Sequence, residues 1–343
     1  MRRVAGPVML VVLLAAMGCQ GPLQPVFPEV SPAIVWPKPP DQARIRYVGE
    51  LRGEADLHRR VGGWEAMRAA LTGPAPKGAF SRPSAVAVAG SRVFVADTGL
   101  AAVHVLDLEA RTYAVTTGSP ADPLQVPIDV ELAEGGRTLV VVDRARAAVD
   151  LFEPDGTWRC TRRWPEIAAP AAAAWDETQQ TLWLADVTAH ACVACRGLTD
   201  IGERFGRRGG VPGALNYPSD VAICPEQGLV VVDAMNFRVQ VLSMTGRPLA
   251  VFGRKGDAAG DFSRPRGVAV DSAGHVYVLD NQFENVQIFT PEGQLLLAFG
   301  QGGTGPGEFS VPSGITIDGQ DRIWIADSYN RRVQVFQYLA EGA

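Results

Sequence analysis

Pro265-Arg266-Gly267-Val268-Ala269-Val270-Asp271, then Val276-Tyr277-Val278-Leu279-Asp280, then Val286-Gln287-Ile288-Phe289, decides the fold because the chain repeats it. It returns 47 residues later as Pro312-Ser313-Gly314-Ile315-Thr316-Ile317-Asp318, Ile323-Trp324-Ile325-Ala326-Asp327 and Val333-Gln334-Val335-Phe336. Aligned prolines stand at 83, 127, 170, 218, 265 and 312. Aligned aspartates stand at 97, 143, 186, 233, 280 and 327, with spacings of 46, 43, 47, 47 and 47. Alternating β-branched and aromatic residues between Gly, Asp and Pro turns are strand patterning. A period in the forties with four short strands per unit describes a propeller blade. One blade cannot bury both its faces alone, so six stacked around an axis form the stable object. The expected fold is all-β: a six-bladed β-propeller with four-stranded antiparallel blades.

Ring closure is also legible. Repeats four and five continue into outer strands, Leu249-Ala250-Val251-Phe252 and Leu295-Leu296-Leu297-Ala298-Phe299, whereas the sixth stops soon after Phe336. The orphan run Ile45-Arg46-Tyr47-Val48-Gly49-Glu50-Leu51 then fits as the missing outer strand, an N-terminal strand that closes the ring and covers its open edge. Residues 63–72, around Trp64-Glu65-Ala66-Met67-Arg68, read as a short helix packed outside blade one.

Composition agrees. The chain has 343 residues, a length that hints at two domains; the period makes it one. Its 37 glycines and 25 prolines are the turn chemistry of many short strands. Lysines number only three and histidines four, so Schiff-base chemistry and multi-histidine metal sites start with few candidates. A formal charge of −5 argues against a general nucleic-acid binder.

The N-terminus reads as an address. Arg2 and Arg3 precede an apolar run from Val8 to Met17, a secretory signal too short to stay as a spanning helix. Ala15-Ala16-Met17-Gly18-Cys19 resembles the bacterial lipoprotein box, which implies lipidation at Cys19; an ordinary secretory signal is the alternative. Gln20 after the cysteine favours, by the same resemblance, the outer membrane over inner-membrane retention. The expected organisation is a signal peptide over 1–18, a proline-rich extended tether over 19–42 and the propeller over 43–343. Removal of residues 1–18, with two arginines and no acid, would move the charge from −5 to −7.

The pattern Pro-x-Gly-Val-Ala-Val-Asp, Val-Tyr-Val-x-Asp and Asn-x-Arg-Val-Gln-Val-Phe resembles the NHL-repeat family of six-bladed propellers. The resemblance is specific in repeats four to six and degenerate in one to three, where the Asn-x-Arg element is gone. RNA binding, which some intracellular family members show, does not carry over to an exported chain. Amidating lyases of similar fold hold zinc with three histidines; here His58, His104, His190 and His275 occupy repeat positions that do not converge. Lactonase-like six-bladed relatives use acidic and amide ligands, which keeps a hydrolase open.

The six aligned aspartates recur in every blade and are read as loop-capping devices. Departures from the repeat carry more information. Where inner strands begin, the series runs Ala85, Asp129, Ala172, Asp220, Gly267 and Gly314; two residues on it runs Ala87, Glu131, Ala174, Ala222, Ala269 and Thr316. Asp129, Glu131 and Asp220 at a channel mouth are candidates to hold Ca²⁺ or a similar divalent cation, or to act as acid and base. The bland reading has them capping amides or pairing with Arg266. Loops into blades four and five bear Arg207, Arg208, Arg254 and Lys255, and with Arg82, Arg264 and Arg266 these make a basic rim for an anionic glycan, phosphate or lipid headgroup. Cys160, Cys192, Cys195 and Cys224 are an even set in an oxidising compartment, expected to bridge neighbouring blades. No Ser-His-Asp constellation can be assembled. The expectation is a monomeric, lipid-anchored binding or scaffolding module for a protein or anionic ligand, with a Ca²⁺-type hydrolase as the alternative.

Overall fold

The computed structural model describes residues 23–59, 78–225 and 227–340. Cys19, the expected signal peptide and the helix expected over 63–72 lie outside the described residues. Five four-stranded antiparallel sheets and one five-stranded sheet are arranged as blades. Their inner strands are Pro83–Ala89, Pro127–Ala133, Pro170–Asp176, Pro218–Cys224, Pro265–Val270 and Gly314–Ile317, and each touches the next so that they form a closed ring. In blades one to five successive strands run outward in chain order, and in blade six the last three strands of the chain do so before N-terminal strands complete it.

The ring closes as expected. Ile45–Leu51 pairs antiparallel with Arg332–Tyr338, placing Tyr47 opposite Phe336 and Leu51 opposite Val333. The first strand of blade six presses on blade one: a Cβ at Gly314 would lie 2.5 Å from the Ser84 carbonyl oxygen, so only glycine fits that seam.

Alternating side chains on both faces of each blade pack against the neighbouring blades. Six apolar clusters result, one at each junction: for example, Val140, Val142, Leu182 and Leu184 between blades two and three, and Trp324, Leu51, Val86 and Val95 between six and one. Burying a side chain of that size stabilises by about 1.5–3 kcal/mol, and the junctions repeat the gain around the ring.

The proline-rich segment differs from an extended spacer over its described part. Val35–Trp36 adds a fifth strand to blade six, and the Trp36 ring sits 5.8 Å from both Phe299 and Phe336. Phe27 lies 6.0 Å from Trp324. Aromatic residues among the prolines had blade six to bury against. Among the described residues no helix is long and apolar enough to cross a membrane.

Candidate functional site

The six repeat aspartates are fully buried at the ends of the second strands. Asp97 accepts the backbone N–H groups of Ser81, Arg82, Gly99 and Leu100, tying its own turn to the loop that enters the blade. Burial alone would raise its pKa, but the bonds from His104, Ser81 and Arg82 outweigh that and hold it below the usual carboxylate range. In blades four and six the same aspartate also takes Asn and Arg side chains: Asp233 from Asn236 and Arg238, Asp327 from Asn330 and Arg332. These residues build the loops and leave no free carboxylate.

The inner strands enclose an axial channel of about 210 Å³, lined by Asp129 and Glu131 of blade two, Asp220 of blade four and Arg266 of blade five, among small side chains. Inner strands of different blades are not sheet-paired to each other, so their channel-side N–H groups need acceptors. The carboxylates supply them. Asp129 Oδ2 accepts from Ala173 of blade three at 2.7 Å, and Glu131 Oε1 from Trp175 at a long 3.4 Å. Asp220 Oδ2 accepts from Val268 of blade five at 2.8 Å, and its Oδ1 from Val221 at 2.8 Å. Burial pushes Asp129 up to about 7 and, with the Asp129 charge adding, Glu131 up to about 8. Asp220 is raised well above the ordinary value by burial and the Asp129 charge. Near neutral pH the trio therefore shares protons.

The three candidate metal ligands thus share a channel, yet no group of three or more His, Cys, Asp or Glu among the described residues is placed to hold a metal ion. Each acid is turned toward the amide of the next blade instead of toward a common centre. Three of the four histidines are spent locally. His104 bonds Tyr113 and Asp97, His190 accepts from the Tyr217 amide, and His275 bonds Asp271.

Arg266 departs from its repeat position. In blades one, four and six that residue is Ser84, Ser219 and Ser313, whose hydroxyls donate to a carbonyl of the next blade. The pairing skips residue 266, Pro265 facing Asp280 and Gly267 facing Leu279, so the extra residue of the bulge points its side chain into the channel. Among the described residues its guanidinium has no direct ion pair or hydrogen bond, but its charge acts to lower the pKa of both Asp129 and Asp220, so the acids cap amides and feel Arg266 at longer range.

The other basic residues do not gather into one rim. Arg82, Arg207, Arg208, Arg254, Lys255 and Arg264 are exposed and spread over the loops into blades one, four and five. Arg254 is tied to Asp261 at 2.9 Å, Lys255 lies over the Phe237 ring at 5.3 Å and Arg82 over Tyr329 at 5.6 Å. The turns after the second strands share this end of the ring, because Arg144 N bonds Val126 O, Met235 N bonds Asn216 O and Tyr329 N bonds Ser310 O. Exposed apolar side chains stand on it at blades one, four and six: Tyr329 62%, Val211 60%, Met235 56%, Leu100 49% and Tyr217 44%. Sequence reasoning passed over them, although Met235 and Tyr329 both stand two residues after an aligned aspartate and could have been found there.

The expected disulfides are not formed: Cys160, Cys192, Cys195 and Cys224 are free. Cys192 packs in the junction of blades three and four, Cys224 in that of four and five, and Cys195 in that of two and three, with Cys160 at its edge. Three of the four thus serve as small apolar side chains in separate junctions.

Residues 262–289 and 309–336 each match the NHL repeat. No curated protein matches the chain in sequence. Solved structures of similar shape include a streptogramin B lyase, at 11% identity and TM-score 0.56, covering 76% of this chain and 94% of that one. A catalytically inactive virginiamycin B lyase from Staphylococcus aureus with quinupristin is 14% identical, TM-score 0.57, covering 77% and 83%. Hydrazine synthase from Kuenenia stuttgartiensis is 14% identical, TM-score 0.55, covering 78% and 99%. At these identities the likeness is one of fold.

Proposed function

We propose that this NHL-repeat propeller works as an exported, lipid-anchored module that docks a protein partner on the loop face at the mouth of its channel. The observation that carries the reading is the exposure of Tyr329, Met235, Val211, Tyr217 and Leu100 on one end of the ring, together with arginines. Tyr, Met and Arg are the side chains that enrich interface cores, and large exposed apolar side chains beside a channel mouth suit a contact surface. Arg82 over the Tyr329 ring holds that aromatic in place with its surface outward. The lipoprotein box and Cys19 supply the address, with the outer membrane as the expected site.

A protein fits the face better than an anionic glycan or headgroup does, because large apolar side chains stand exposed there beside bases that are dispersed and partly occupied. A metal-dependent hydrolase would need Asp129, Glu131 and Asp220 to turn oxygens to one point, and their bonds to Ala173, Trp175, Val268 and Val221 direct them elsewhere.

The test is hydrodynamic. Gel filtration of detergent-extracted membranes is expected to show the protein in a complex larger than the monomer. Met235→Glu with Tyr329→Glu is expected to shift it to monomer size with Tm unchanged. Elution of the unaltered protein as a monomer, or a complex indifferent to both substitutions, would overturn the reading.

A further inference from the structure

The channel carries a charge pattern that loop-face docking does not use. From its loop end inward it presents cations first and acids below. Arg266 is the second residue of its inner strand, Asp129 and Asp220 the third of theirs, and Glu131 the fifth. Arg144, immediately after the aligned Asp143, is fixed at the same end by the bond from its N–H to the Val126 carbonyl. Blades two and five stand three apart in a ring of six, so Arg144 and Arg266 approach the mouth from opposite sides.

The two arginines differ: the Arg266 charge acts on Asp129 and Asp220 without a direct bond, whereas Arg144 has no acid beside it among the described residues. Among the described residues neither guanidinium has a hydrogen bond or ion pair, and Arg144 Nε is buried without a partner. Asn281 occupies in blade five the repeat position that Arg144 holds in blade two, and its Oδ1 is likewise buried and unpartnered. Burial, and then the nearby charge of Arg266, hold Arg144 below the usual guanidinium value. Buried donors left unmade are costly, and two like charges facing each other call for an anion between them. The acids below would repel a simple anion deeper in, and the arginines would repel a simple cation at the mouth.

The geometry points to a binding site in the channel for a small zwitterion, its carboxylate or phosphate held by Arg266 with the Arg144 charge beside it at the mouth, and its ammonium donating separately to the carboxylate lone pairs of Asp129, Asp220 and Glu131 that the inter-blade amides leave open, an arrangement that needs no single converging point. The cavity of about 210 Å³ has room for a small organic molecule. With a strand rise of roughly 3.3 Å per residue, the step from the level of Arg266 to that of Asp220 or Glu131 is about 3–10 Å, which sets the span between the ligand's charges. The site is independent of loop-face docking, and failure of either leaves the other standing.

Titration calorimetry on the full chain in detergent tests it with glycine, 4-aminobutyrate, 6-aminohexanoate and O-phosphoethanolamine, against propionate and propylamine as single-charge controls. At least one zwitterion is expected to bind at least tenfold more tightly than both controls; a lead for an amino acid assigns the carboxylate form, a lead for O-phosphoethanolamine the phosphate form. Arg266→Gln and Asp220→Asn are each expected to weaken it at least tenfold. Arg144→Gln serves as the second variant should Arg266→Gln lose its fold, with Tm as the check. Binding by none of the four zwitterions, equal binding by a single-charge control, or unchanged affinity in variants that keep their Tm would overturn the proposal.

Discussion

Arg332 Nη1 donates to Glu50 Oε2 at 2.7 Å, so an arginine of the last strand in the chain holds a glutamate of the strand that closes the ring from the N-terminal side. The same guanidinium bonds Asp327 and the carbonyls of Thr304, Gly305 and Glu308, and it is buried. Arg332→Ala would take the cation from the buried Asp327 carboxylate and remove one donor from each of three carbonyls. The expected loss is about 3–5 kcal/mol in urea unfolding. Arg332→Lys should recover little of it, because an ammonium cannot reproduce the fork.

Gly314→Ala tests the seam between the last and first blades. Its Cβ would meet the Ser84 carbonyl at 2.5 Å, which the two inner strands can relieve only by separating. A loss of about 1–3 kcal/mol is expected, read as a lower Tm. Gly319, with open space around it, takes the same change without such a clash.

Protonation of the channel acids should show in the pH dependence of stability. Asp129 lies near 7 in the folded protein against an ordinary 3.8, so between those values the folded state binds the additional proton. Its contribution to stability therefore falls as pH rises from about 4 through 7. Asp129→Asn removes that slope: relative to the unaltered protein it is expected to gain stability progressively up to pH 8. A constant difference from pH 4 to pH 8 would contradict the raised value.

Thiol labelling separates the cysteines. Cys160 is half-buried and should react with a thiol reagent in the native state. Burial pushes the thiols of Cys192 and Cys195 up to about 12 and that of Cys224 up to about 11, so these should react only on unfolding. Mass spectrometry of the non-reduced native protein is expected to find four free thiols in the propeller.

Much of this architecture is legible from spacing alone. Proline and aspartate recur at the blade period because every blade needs the same strand start and the same capped turn. The run from Ile45 to Leu51 declares itself by having no repeat of its own. Pairings between distant blades leave no such mark. Nothing in the sequence says that Asp129 reaches Ala173 across a junction, or that Arg266 sits on a bulge and turns inward while Arg264 stays outside. Arg146 is similar: buried, it binds Asp122 and Asp150, two acids whose alignment with it exists only once blade two is folded. The cysteines misled because an even count states nothing about the junctions into which they point.

Docking on the loop face is the centre of the account, and photo-crosslinking in intact cells tests it most directly. A photoreactive amino acid would replace Tyr329 or Met235 on the loop face, or Leu296, exposed on an outer strand of blade five. Discrete protein adducts at positions 329 and 235 and none at 296 are predicted. Adducts at 296 alone, or none at any of the three, would contradict it.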